Sequence, residues 1–92
     1  GGQGNIEAES LGYEYAWRGN RYGLSCVEAT HALLFFRRVL LESMLAVFES
    51  AAVKSPHAWS AMLRKVCDFT DRILVTLLET YEAYQQAPRR SI

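Results

Sequence analysis

Cysteine and proline are scarce in this chain, with two of each in 92 residues, and neither sign of charge is in excess: ten Lys and Arg balance ten Asp and Glu. A net charge of zero, with no run of basic residues, excludes the electrostatic footprint of a direct nucleic-acid binder. Cys26 and Cys67 each fall inside a predicted helix, several turns apart, too far for a disulfide. Free thiols fit a reducing compartment, so the expected location is the cytoplasm. No signal-peptide pattern is visible. The longest uncharged apolar run, Ala29 to Phe36, is stopped by Arg37-Arg38, too short to cross a membrane.

Chemistry-bearing motifs are absent too. His31 and His57 are the only histidines. With no H-E-x-x-H, no C-x-x-C and no Glu-x-x-His pair on facing helices, no metal is expected. The glycine-containing loop Gly19-Asn20-Arg21-Tyr22-Gly23 has no preceding strand and no Walker lysine, which argues against a phosphate site. His31 is followed by Ala32-Leu33-Leu34, without the Lys and Gly, or the adjacent acid, of phosphotransfer histidines. No Ser/His/Asp set can be identified. The expectation is a chain without catalytic residues or cofactor.

What is present is helical grammar. The stretch from Ser25 to Ala52 contains no Gly and no Pro. It begins with the capping-box form Ser25-Cys26-Val27-Glu28, in which the serine hydroxyl and the glutamate carboxylate satisfy each other's backbone amides. The helix that follows spans about 28 residues, roughly 40 Å. At 100° per residue, Leu33, Phe36, Leu40, Met44, Val47 and Ala51 share one face, with Val27, Leu34, Leu41, Leu45 and Phe48 beside them. That apolar arc covers about half the circumference, more than one neighbour can cover. Arg37 lies inside it and Phe35 lies in the polar arc. A charge among apolar side chains is paired or reaches for solvent; an aromatic on a polar face suits a contact surface, so Phe35 is the candidate interface residue.

The rest of the chain follows in order. Residues 1–5 read as a disordered or extended lead-in. Asn5 is placed to cap a short helix over 6–18, with Ile6, Ser10, Tyr13 and Trp17 on one face, lying across the longer helices as a lid. Gly19 is placed as the residue that ends it. A second helix over 26–53 and a third over 56–86 are expected, the third opened by Ser55 as N-cap and Pro56 at the first helical position. Trp59, Met62, Leu63, Val66, Phe69, Ile73, Leu74, Leu77, Tyr81 and Tyr84 form its apolar arc. Residues 87–92 read as a polar exit or linker.

Two long helices joined by a very short turn lie antiparallel. The expected fold is all-α: one short helix and a long antiparallel helical hairpin, 6–86, which dimerises into a four-helix-type bundle to cover its spare apolar surface. Counting equally outward from a turn near Lys54 sets Arg37 level with Asp71. An Arg37–Asp71 salt bridge flanked by apolar side chains is therefore expected, with Glu14 as the substitute acid.

The run Leu11-Gly12-Tyr13-Glu14-Tyr15-Ala16, then Gly19, Leu24-Ser25, Glu28-Ala29, and Phe35-Phe36 with Arg37-Arg38 resembles the all-helical N-terminal domain of bacterial RsbRD-type stress regulators and related PucR-like transcriptional regulators. Asp71 followed by Tyr81 is similar to the closing helix of that family. The resemblance implies a dimerising input domain of a cytoplasmic regulator, which passes a signal to a following output domain and has no catalytic residues. The alternative is a small-ligand sensor, with Tyr13, Trp17, Phe36 and Trp59 lining an apolar pocket between helices.

Overall fold

The computed structural model describes residues 2–51 and 55–86, and side chains within 4–49 and 55–86. The expected polar exit at 87–92 and the end of the second predicted helix, 52–53, lie outside the described residues. Within them the chain is all-α, with helices α1 (Gly2–Arg21), α2 (Cys26–Ala51) and α3 (Pro56–Gln86).

The ends of the helices follow local chemistry. Ser25 and Glu28 form the reciprocal box: Ser25 N–H donates to Glu28 Oε1 at 2.8 Å, and Glu28 N–H donates to Ser25 Oγ at 3.1 Å. Ser55 Oγ accepts from Ala58 N–H at 3.2 Å, with Pro56 opening α3. The end of α1 differs from expectation. Gly23, at φ 81°, is the left-handed residue. Leu24 N–H donates to Gly19 O at 2.8 Å and Gly23 N–H to Asn20 O at 3.2 Å, the paired bonds of a Schellman cap. Helix α1 therefore runs past Gly19, because the residue able to take positive φ without cost comes four positions later.

At its other end α1 begins at Gly2, so residues 2–5 are helical and Asn5 sits inside the first turns. Nor is α1 a lid across the others. Gly12 lies against Ile73 and Thr76, Gly19 lies against Tyr81, and Asn5 shares a cleft with Asp68, Asp71, Arg72 and Val75. Contacts that advance together along both helices mean that α1 runs parallel to α3 and beside it.

The face α1 turns inward is also not the one that residue size suggests. Tyr13 is 57% exposed and Trp17 51%, while Ala8, Gly12, Ala16 and Gly19 are buried. Their spacing of 4, 4 and 3 makes a smooth stripe down one side of α1. A Cβ added at Gly12 would lie 2.6 Å from Thr76 Cβ and 2.8 Å from the Ile73 carbonyl oxygen. The two backbones approach through side-chain-free positions, and buried Thr70, Ile73, Thr76, Leu77 and Tyr81 of α3 fill the other side. Thr70 buries its hydroxyl without leaving it unbonded, donating to the carbonyls of Val66 (3.0 Å) and Cys67 (3.1 Å).

Helices α2 and α3 pair in the opposite sense. Phe48, late in α2, stacks on Trp59, early in α3, with ring centroids 4.8 Å apart. Arg37, earlier in α2, meets Asp71, later in α3. The buried hydrophobic residues are Ala8, Ala16, Ala29, Leu33, Ile73, Leu77 and Tyr81, all at the end where α1 lies. Beyond it α2 and α3 continue as a two-helix arm. The molecule extends 61 × 26 × 13 Å, so its thinnest dimension is close to one helix diameter. Its radius of gyration is 16.3 Å, against about 12 Å for a compact domain of this length.

Candidate interaction surface

The four aromatic residues expected to line one pocket do not come together. Trp59 stacks on Phe48 in the arm. Phe36 is twelve residues before Phe48, about 18 Å along the helix axis. Trp17 carries the Arg21 guanidinium over its ring, 5.2 Å from the centroid, and Tyr13 faces out. The reason lies in α1: its small residues took the inner face and rotated its aromatics outward.

Phe36 does line a different groove. It lies between α1 and α2, encloses about 380 Å³, and is lined by Tyr15, Arg18, Gly19 and Tyr22, by Ala29, Ala32, Leu33 and Phe36, and by Leu24 and Leu77. Its trace in the sequence is the small residues in its lining, Gly19, Ala29 and Ala32, which leave space beside the larger side chains. Arg18 on the rim is bonded to Glu14 at 2.8 Å.

Below the groove Tyr81 ties the helix ends together. Its hydroxyl donates to the Leu24 carbonyl at 3.0 Å and sits against Gly19. Burial, and then the neighbouring Cys26, Tyr84 and Glu28, raise the Tyr81 pKa above its ordinary 10.0. Each of these disfavours a phenolate, by desolvation or by adjacent negative charge.

Arg37 Nη1 lies 2.8 Å from Asp71 Oδ1, with the two side chains 27% and 55% exposed. Solvent reaches both, so this is a partly exposed pair, not one closed among apolar side chains. Glu14 is engaged by Arg18 on its own helix. Phe35 is 67% exposed.

The arm also leaves apolar surface uncovered. From residue 34 to residue 69 no described side chain is fully buried. Phe36, Val39, Leu45 and Met62 are among its exposed large apolar groups. The chain exposes 6925 Å², where a compact monomer of 10.4 kDa exposes about 5,400 Å². Among the described residues no cluster of His, Cys, Asp and Glu could hold a metal ion, and no helix is long and apolar enough to cross a membrane. Comparison with protein-family models, with characterised proteins and with solved structures gives no match.

Proposed function

We propose that this chain is a regulatory, self-associating domain: a dimerising input module of a bacterial signalling or transcriptional regulator, in which α2 and α3 form a hairpin that builds a four-helix bundle with a second copy. The observation that carries this reading is the arm. Over residues 34–69 two amphipathic helices lie side by side, and none of their described side chains is fully buried. Exposed apolar surface on this scale marks an interaction site. The near-neutral charge suits a protein partner, and the resemblance to regulator input domains gives the association its role.

Sedimentation at micromolar concentration tests the reading. A dimer is expected, and Phe35→Glu is expected to weaken it, because Phe35 adds exposed aromatic surface at the edge of the arm. A clean monomer at these concentrations would overturn the proposal. The groove of about 380 Å³ favours a second reading, a sensor of a small apolar molecule, since it falls in the size range of ligand pockets. An apolar ligand that raises the melting temperature of the wild type, and not that of Ala32→Leu with its groove filled, would support that reading.

A further inference from the structure

Helix α2 carries an uncharged stripe that the fold leaves largely open. Ala29, Ala32, Phe36, Val39, Ser43 and Ala46 recur at spacings of 3, 4, 3, 4 and 3, the period of a coiled-coil seam. Ala29 is buried beside α1, whereas Ala32, Phe36, Val39, Ser43 and Ala46 are exposed, Phe36 by 47% and Val39 by 44%. The neighbouring stripe of α2, with Val27, His31, Leu34, Arg38 and Leu45 exposed and Leu41 half-buried, is interrupted by a histidine and an arginine. The first stripe therefore covers at lower desolvation cost.

We propose that the stripe is filled by the same stripe of a second copy, running antiparallel about a two-fold axis at the level of Leu41; this rests on the dimer reading above. The residue volumes select that arrangement. In an antiparallel seam the two classes of seam position face each other across the axis. With the axis at Leu41, Phe36 faces Ala46 of the second copy, and Val39 faces its Ser43. Each large side chain meets a small one, which is what interdigitated packing requires. Shifting the axis one heptad step toward the N-terminus sets Phe36 against Val39 and Ala29 against Ala46, crowding one layer and leaving a void in another. A parallel pairing stacks Phe36 on Phe36 and Ser43 on Ser43.

Ser43 is compatible with a dry seam. Its hydroxyl already donates to the Val39 carbonyl at 2.9 Å, so covering it strands no donor. The area agrees as well. The chain's exposed surface exceeds that of a compact monomer by about 1,500 Å², and a standard interface needs only about 800 Å² of it from each copy. The seam also runs without a break into the groove between α1 and α2, through Ala32 and Ala29.

Disulfide cross-linking tests the geometry. In a chain with Cys26→Ala and Cys67→Ala, two single-cysteine variants, Phe36→Cys and Ala46→Cys, are oxidised separately and as an equimolar mixture, with sedimentation alongside. Position 36 lies about 15 Å along the axis from position 36 of the second copy, and position 46 equally far from its own mate, beyond the reach of a disulfide. Covalent dimer is expected in the mixture and only at background in either variant alone. Cross-linking of each variant alone, with no gain on mixing, would show a parallel seam and overturn the proposal. A dimer by sedimentation with no cross-link in any sample would place the contact on another face; it would overturn this inference and leave the dimer reading standing. A monomeric parent chain would overturn both. Should Phe36→Cys lose its helical circular dichroism, Val39→Cys and Ser43→Cys form the substitute pair. Their mixture must then exceed either alone, and equal yields would reject the seam.

Discussion

Replacing Gly12 by alanine is the sharpest test of the fold, because two principles give opposite signs. Gly12 lies in the middle of α1, where Gly→Ala at an uncrowded position stabilises a helix by about 1 kcal/mol. Here the added methyl would sit 2.6 Å from Thr76 Cβ, 2.9 Å from Thr76 Cγ2 and 2.8 Å from the Ile73 carbonyl oxygen. Two of those three atoms are anchored to the backbone of α3 and cannot swing aside. Relief requires α1 to move outward by roughly 1 Å, and a gap of that size forfeits a quarter to a half of the dispersion at each contact along the stripe. Overpacking of this kind costs about 1–3 kcal/mol, and the immobility of the neighbours argues for the upper end. After subtracting the propensity gain, a net loss of about 2 kcal/mol is expected, lowering the melting temperature by roughly 10 °C in a domain of this size. The assay is thermal unfolding followed by far-ultraviolet circular dichroism at one fixed protein concentration, since association shifts apparent stability. Gly4→Ala is the control: nothing lies within 4 Å of its added methyl, and it is expected to melt at or above the wild type. If Gly12→Ala behaves as Gly4→Ala does, α1 and α3 are not in close contact and the account of the core is wrong.

Two further predictions concern polar links. Asp71→Ala is expected to cost less than about 1 kcal/mol in urea denaturation, because more than half of the Asp71 side chain is exposed and such pairs are weak; coupling above about 2 kcal/mol in a double-mutant cycle with Arg37→Ala would show the pair to be effectively buried. Tyr81→Phe removes the bond to the Leu24 carbonyl and is expected to cost about 1 kcal/mol. Because the folded-state pKa of Tyr81 is raised above 10.0, the unfolded chain loses this proton first as pH rises. The contribution of Tyr81 is therefore intact below pH 10.0 and is lost as pH climbs through the folded value. The stability of Tyr81→Phe should fall less steeply over that interval, and parallel curves for the two proteins would contradict the assignment.

Some of this architecture is legible in the chain and some is not, for physical reasons. The starts of α2 and α3 are written locally: Ser25 with Glu28, and Ser55 with Pro56, are complete capping devices within four residues. Counting outward from the turn sets Arg37 level with Asp71, and they lie 2.8 Å apart, because a rise of 1.5 Å per residue is common to both helices. The orientation of α1 cannot be read that way. Sorting a helix by its largest apolar residues assumes that burial area decides the inner face, and that sort chooses Ile6, Tyr13 and Trp17. In α1 closeness of approach decides instead, and Ala8, Gly12, Ala16 and Gly19 contribute almost no hydrophobic signal of their own. Their spacing is the only trace, and it acquires meaning once Thr70, Thr76 and Tyr81 stand opposite. The aromatic pocket fails for the same reason, since it depended on α1 turning its rings inward.

The unequal distribution of packing bears on how such a domain could carry a signal. At one end three helices enclose Leu33, Ile73 and Leu77, each contributing about 1.5–3 kcal/mol by burial, and Tyr81 fastens the α1–α2 connection to α3. At the other end two helices share an aromatic stack and half-buried side chains such as Leu40, Met44, Leu63 and Val66, with no described side chain fully buried. Local stability follows buried apolar contact, so the arm opens more readily than the closed end. A second copy seated on α2 would supply the missing contacts, which links the order of the arm to the association of the chains. Both rods of the arm enter the closed end without interruption, α2 through Leu33 and α3 through Ile73. Under the proposed dimer, a change in how two copies meet would be passed as a displacement of whole helices, because close-packed interiors shift between discrete arrangements and do not deform continuously. Under the proposed function, this continuity is what an input domain requires: a weakly closed surface where association is decided, joined rigidly to a core that holds its shape.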